Sequence, residues 1–243
     1  MSTVDWYGNV SLVVFFAGCN LRCPYCQNPG LIPACSGEDV RPEVLRQRIK
    51  INLNLLDAVV FTGGEPLLQP DGVEEAAEIV REFGLRLMLD TNGSRPGVLE
   101  RLLEAGLVDR VALDVKAPLS AEDYGRTIGL PRLGAEVAEA VGRALELCSG
   151  HGAEVEARTT VAPTISDDPE FIRRIAYAIK GMCDVYYLQQ FDNTGDVLSP
   201  RLRELKPPDR ETMLLLADAA LGEGVENVYI KTREFGLEKR GDP

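Results

Sequence analysis

Three thiols crowd one short stretch: Cys19, Cys23 and Cys26 stand in the run Gly18-Cys19-Asn20-Leu21-Arg22-Cys23-Pro24-Tyr25-Cys26-Gln27-Asn28. Thiolates at C-x3-C-x2-C spacing on one loop can each take one iron of a cubane iron–sulfur cluster and leave the fourth iron open. A closed zinc site needs four ligands instead, ordinarily two C-x2-C pairs far apart in the chain. The remaining cysteines supply no such second pair. Cys148 and Cys183 sit in separate apolar helical contexts, and Cys35 stands alone beyond the loop. All three are expected to pack as small buried hydrophobes. A cluster with one open iron is the better match to the spacing.

Four further elements carry chemistry, each just after or within an apolar run. Gly63-Gly64-Glu65 offers two residues without Cβ, which permits close backbone approach. Asp90-Thr91-Asn92-Gly93 and Leu113-Asp114-Val115-Lys116 place two carboxylates at neighbouring strand ends. Asp90 and Asp114 would repel unless they share a cation, or each caps the loop that follows. Lys116 and Arg158 offer positive charge to a carboxylate, and Arg can do so through two parallel hydrogen bonds. Arg158 is not expected to pair with Glu156, because both would point at the same ligand. The single histidine, His151, lies between glycines in a turn, so histidine acid–base catalysis is not expected. Asp192 is assigned no role.

The elements that must position these groups follow from periodicity. Runs at 12–17, 58–62, 85–90, 111–115, 154–161 and 185–191 are nearly continuous apolar or β-branched stretches, as strands of a parallel sheet buried on both faces should be. Segments 44–56, 73–83, 98–105, 137–148 and 171–182 between them have helical spacing, with Asp71 and Asp168 suited to helix starts and Gly84 and Gly106 to helix ends. A helix at 211–221 and a short strand at 228–230 close the chain, and 193–208, with three prolines, reads as an exposed connection. Strand alternating with helix implies right-handed βαβ units. The expected fold is α/β, a single-domain open (β/α)6 partial barrel over 1–243, with its core at about 10–192 and a C-terminal helix and strand within 207–232. Functional groups then gather at the carboxyl ends of the strands.

Composition agrees and excludes other classes. The 243 residues are 45% hydrophobic and 26% charged, with a net charge of −12, so neither disorder nor nucleic-acid binding is expected. The amino-terminal ten residues lack a basic flank and an apolar core, and no run approaches membrane-spanning length. The expectation is a cytoplasmic protein that touches no membrane.

On these residues the chain resembles the radical S-adenosylmethionine (SAM) enzymes. Its cysteine loop is similar to their C-x3-C-x-aromatic-C signature, with Tyr25 as the aromatic. Gly63-Gly64-Glu65 is similar to their element that holds the SAM ammonium. Asp90-Thr91-Asn92-Gly93, Asp114-Val115-Lys116, Glu156-Ala157-Arg158 and Leu188-Gln189-Gln190-Phe191 resemble glycyl-radical-enzyme activases, in particular the activating protein of anaerobic ribonucleoside-triphosphate reductase. Gln27 stands where many activases have His.

The resemblance implies that Cys19, Cys23 and Cys26 hold a [4Fe-4S] cluster. It also implies that Tyr25, Gln27, Gly63, Gly64, Glu65, Asp90, Thr91, Asn92, Asp114, Lys116 and Arg158 surround SAM, with a monovalent cation beside Asp90 and Asp114. It implies reductive cleavage of SAM and removal of a hydrogen atom from a glycine of a partner enzyme, with flavodoxin or ferredoxin as electron donor. No catalytic acid or base is then needed from the chain. An alternative is an enzyme acting on a small molecule, such as 7-carboxy-7-deazaguanine synthase. That family places Asp-Thr after its third cysteine, where this chain has Gln27-Asn28. A binding module that carries metal but leaves SAM intact would give Gly63-Gly64-Glu65 no purpose.

Overall fold

The computed structural model describes residues 1–240, so the last three residues of the expected 1–243 unit lie outside the described residues. Along the chain run β1 (Ser11–Phe16), α1 (Pro42–Asn52), β2 (Ala58–Gly63), α2 (Pro70–Glu82), β3 (Arg86–Thr91) and α3 (Pro96–Glu104). Then come β4 (Arg110–Asp114), α4 (Ala121–Thr127), α5 (Gly134–Gly150), β5 (Glu154–Val161), α6 (Pro169–Ile179) and β6 (Val185–Gln190). The chain closes with α7 (Pro200–Arg203), α8 (Arg210–Gly222), β7 (Val228–Thr232) and β8 (Gly236–Arg240).

All eight strands form one sheet in chain order. Strands β1 to β7 are parallel, and β8 returns antiparallel beside β7. β1 and β8 are the two edges and do not pair, so the barrel is open as expected. The six expected strands are present with ends shifted by no more than one residue. The sheet is wider than expected, because β7 extends the parallel run and β8 was not foreseen.

Helices begin earlier than their apolar periodicity suggests. Pro42, Pro70, Pro96, Pro169 and Pro200 each occupy the first turn of a helix. Proline fits there because its ring presets φ and the first N–H groups have no partner within the helix. Asp168 caps α6, its carboxylate accepting the Glu170 N–H at 3.2 Å. Asp71 does not cap α2; it lies in the first turn behind Gln69, where its negative charge complements the positive end of the helix dipole. The 193–208 connection contains α7, and Val197 and Leu202 are buried, so it is not a free loop. Among the described residues no helix is long and apolar enough to cross a membrane.

Strand side chains alternate between two cores. Val59, Phe61, Leu87, Leu89, Val111 and Leu113 face the helices and join the main apolar cluster. Ala58, Val60, Met88 and Ala112 face the lumen, where they meet Trp6. Trp6 is only 4% exposed and stacks under the Arg86 guanidinium, 4.8 Å from the ring centre. The first residues thus fold back to plug the barrel's lower end, and the upper lumen is left to polar groups. Trp6→Ala is expected to lower stability by about 3–5 kcal/mol, read as a shift of the urea midpoint with an unchanged slope.

Candidate functional site

A cavity of about 240 Å³ opens at the carboxyl ends of the strands. Cys19, Cys23, Tyr25, Cys26 and Gln27 line it from the loop after β1. Gly63, Gly64 and Glu65 reach it after β2, and Asp90, Thr91 and Asn92 close β3 against it. Asp114 and Lys116 come from the end of β4, and Arg158 from β5. Every residue expected to hold the cluster or to surround SAM therefore borders one space. Leu21, Asn28, Thr62, Thr160 and Gln189 border it too and were missed. Strand alternation could have found Thr62, Thr160 and Gln189, since they follow lumen-facing positions at intervals of two.

The cysteine loop is held from three sides. Gly18 N–H and Cys19 N–H donate to Leu31 O and Ile32 O at 2.8 and 3.0 Å, and Arg22 N–H donates to Ile128 O at 3.0 Å. From the third side, Leu198 N–H donates to Cys26 O at 3.0 Å and Ser199 N–H to Pro24 O at 2.9 Å. Gln27 Nε2 adds a bond to Asp192 O at 2.9 Å. The segment after β6, expected to be an exposed connection, is thus a strap across the loop. Its bonds are mostly backbone to backbone, so no side-chain pattern announces it.

Among the described residues no three His, Cys, Asp or Glu side chains converge as a single-ion site. The three thiols line one cavity close enough to sense one another, as ligands to the irons of one cluster would. Burial pushes the Cys23 thiol up to about 11 and raises Cys19 as well. Thiols so placed stay protonated until a metal displaces the proton. Leu21 N–H already points at Cys19 Sγ, 3.4 Å away, as a donor to a thiolate. The donor set therefore suits an iron–sulfur cluster.

Gly63 and Gly64 are glycines for a reason within the chain. Gly63 has a φ of +124°, and a Cβ on either residue would press into the carbonyl of Phe16 or Gly18. The close approach is thus to β1, where Gly64 N–H and Glu65 N–H donate to Phe16 O and Gly18 O, each at 2.8 Å. Among the described residues the Gly64 carbonyl accepts no hydrogen bond, which leaves it available to a cation such as an ammonium.

Glu65 is 1% exposed, and its carboxylate is used internally. It accepts the Thr91 hydroxyl at 2.8 Å, Asn92 N–H at 2.7 Å and Leu67 N–H at 3.1 Å. Burial pushes it up to about 7, against the pull of those three donors. Glu65 therefore ties the end of β2 to the end of β3, and its place in the site is that of a strut.

The upper lumen holds a chain of charges. Arg110 on β4 bonds Glu156 on β5, which in turn bonds Arg158 on the same strand. Arg158 lies 3.1 Å from Asp90, a contact without hydrogen-bond alignment. The expectation that Arg158 would not pair with Glu156 is thus overturned. Residues i and i+2 share a face, and the long guanidinium arm folds back onto the carboxylate beside it. Burial pulls Arg158 down, but Asp90 and Glu156 hold it above its ordinary value. Burial pushes Asp90 up to about 6 while Arg158 pulls it down. Lys116 Nζ donates to Asp114 at 2.6 Å and is held well above the usual range by that partner, against burial. The repulsion between Asp90 and Asp114 is therefore already offset from within. Tyr25 is buried with its hydroxyl unpartnered.

Residues set aside earlier fall elsewhere. His151 ends α5, its Nδ1 2.7 Å from Leu147 O. Asp192 accepts from Thr194 on the strap, and that hydrogen bond draws it below the usual carboxylate range. Cys148 is buried as expected, and Cys183 is partly so. Cys35 is exposed, contrary to expectation, because it lies in a short 3-10 turn with no buried residue.

The open parallel sheet with three thiols on the loop after its first strand defines a class. Residues 13–175 match the family model of the radical SAM superfamily, and the chain belongs to that superfamily. Its fold matches the crystal structure of a radical SAM methyltransferase from Sphaerobacter thermophilus with a TM-score of 0.69 at 16% identity, over 93% of this chain and 67% of that one. Within the superfamily its sequence is of the glycyl-radical-activase kind. It is 34% identical to a Methanocaldococcus jannaschii protein named, by inference, a glycyl-radical enzyme activating enzyme, over 96% of this chain and 93% of that one. It is 32% identical to the pyruvate formate-lyase-activating enzyme of Clostridium pasteurianum, over 76% of this chain and 75% of that one. Membership implies a [4Fe-4S] cluster and SAM as cofactors.

Because Glu65 is folded with its carboxyl raised, its contribution to stability is complete below about pH 4.5 and is lost as pH rises through about 7. Glu65→Gln puts an amide donor against donors and is expected to cost about 1–3 kcal/mol. In urea titrations at several pH values, the gap from the parent should be widest below about pH 4.5 and narrow above pH 7.

Proposed function

We propose that this chain is an activase: a radical SAM enzyme that removes a hydrogen atom from a glycine of a partner protein, with anaerobic ribonucleoside-triphosphate reductase as that partner. The observation that carries the reading is the meeting of three thiols, a free Gly64 carbonyl and two ion-paired carboxylates around one cavity. When bound, the cluster and SAM supply a one-electron cleavage that yields a carbon radical. The chain's own residues bind, orient and exclude water.

In this reading Cys19, Cys23 and Cys26 hold the cluster, and the strap fixes the loop that carries them. Gly63 and Gly64 present backbone oxygens to the SAM ammonium. Lys116 and Arg158 face its carboxylate, with Asp90 and Asp114 holding both cations in place. Thr91, Asn92, Tyr25 and Gln27 complete the wall, and Glu65 keeps two of its loops together. A monovalent cation at Asp90 and Asp114 would use the carboxylate oxygens that Arg158 and Lys116 do not contact.

One sheet runs through the whole described chain, so residues 1–240 act as a single core. Among the described residues the sheet and its helices leave little for a separate substrate domain, which suits a substrate delivered by another protein. The electron comes from an external flavodoxin or ferredoxin. A reducing cytoplasm keeps the three thiols available.

Two measurements test this. Cys26→Ala should abolish both cluster absorption and 5′-deoxyadenosine release, while Cys35→Ala should keep both; retained release in Cys26→Ala would sink the cluster assignment. The reconstituted, reduced protein given SAM and the anaerobic reductase from the same source should produce a glycyl-type doublet in the electron paramagnetic resonance spectrum. No doublet, with 5′-deoxyadenosine still released, would rule out the reductase as partner.

A further inference from the structure

A second and larger cavity, about 850 Å³, lies outside the lumen along β1. All six residues from 12 to 17 line it. Successive strand side chains point to opposite faces, so these six share no face. They share the backbone edge of the sheet.

The polar groups of that edge can be followed one at a time. In a parallel pair, the N–H and C=O of alternate residues turn to the same neighbour. Val10 and Phe16 turn towards β2, their carbonyls accepting Asp57 N–H and Gly64 N–H at 2.9 and 2.8 Å. Ser11 turns the other way and exchanges two hydrogen bonds of 2.8 Å with Ser2. Val13 and Phe15 therefore also turn outward, and among the described residues neither has a backbone partner there. At the far end, Gln69 Nε2 donates to Ala17 O at 2.8 Å. The edge is satisfied at both ends and open in the middle.

Across the groove stand Val40, Val44, Leu45 and Ile79, with Val40 65% exposed, and charged side chains such as Glu38 and Arg48 stand among them. Unpaired strand groups facing a wall of mixed apolar and charged side chains select an extended polypeptide, which supplies main-chain partners along the edge and varied side chains for the wall. A small apolar ligand would leave the Val13 and Phe15 groups unmet. Ser2 already begins such a pairing on the same edge. The groove ends at Ala17, two residues before Cys19, so a chain laid along β1 arrives at the mouth of the reaction cavity.

We propose that this groove binds an extended segment of the protein substrate next to its reacting residue, adding it as a strand to the open edge of β1. The proposal rests on the activase reading, which supplies a protein as substrate.

The test is residue-resolved amide hydrogen exchange on the full chain. The probes are roughly twelve-residue peptides centred on the radical-site glycine of an anaerobic ribonucleoside-triphosphate reductase and of a pyruvate formate-lyase. With one of them bound, exchange at Val13 and Phe15 should slow by about tenfold or more, while Val14 and Phe16, already paired with β2, should not change. Val13→Pro removes an outward donor, spares the ladder to β2 and should weaken that peptide by about tenfold. Binding of neither peptide, or binding without protection at Val13 and Phe15, overturns the proposal. Protection that grows with protein concentration alone also overturns it, since a second copy would then cover the edge. Release of 5′-deoxyadenosine without peptide is measured in parallel. Its loss with protection intact would count against the activase reading and leave the groove standing.

Discussion

Charge taken out of water inside the barrel has to be answered from inside the barrel, and the upper half of this molecule is organised around that requirement. Arg110, Glu156, Arg158 and Asp90 span β3, β4 and β5 as one alternating series, with Lys116 and Asp114 as a second pair beside it. Removing a single member would leave a neighbour buried and uncompensated, which costs far more than the pair itself contributes. The series therefore fixes rotamers as well as charge. Arg158 cannot swing away from the cavity without abandoning both carboxylates. Trp6 and the apolar lower lumen packed on it close the barrel beneath this series.

Much of this was legible in the sequence, and the misses have physical causes. Parallel strands buried on both faces announce themselves as continuous apolar runs, so six strands fell within a residue of their places. β8 did not, because Gly236–Arg240 is charged, half-exposed and pairs on one side only. α4 was hidden by polar residues and by Gly125, where a Cβ would meet the backbone of Pro131. Periodicity places helix starts too late because it begins at the first buried residue, whereas the helix begins at the proline before it. At the site, residue types at strand ends were enough to find the cavity. They could not tell a wall from a strut: Glu65 looks like a ligand in sequence, and only its three internal donors show what it holds.

The cysteine loop shows the same division. Its thiols are obvious from spacing, yet what holds them is contributed by residues 31–32, 128 and 198–199, far apart in the chain. Backbone bonds of that kind leave no trace in residue type. They matter because ligands fixed before metal arrives spend less conformational freedom on binding it, and because the strap joins the loop after β1 to the loop after β6 above the lumen.

The amino-terminal plug has a consequence for how the molecule comes together. Trp6 packs on β2, β3 and β4, so its binding surface exists once about the first half of the chain has formed. Lys231 Nζ, by contrast, reaches Val4 O at 3.4 Å across a separation of 227 residues. Loop closure over such a span is entropically late. During synthesis the first residues can dock early on the nascent half-barrel, and the last strands then close against a segment already in place. The same amino-terminal segment thus joins the strands made first to the last parallel strand of the sheet.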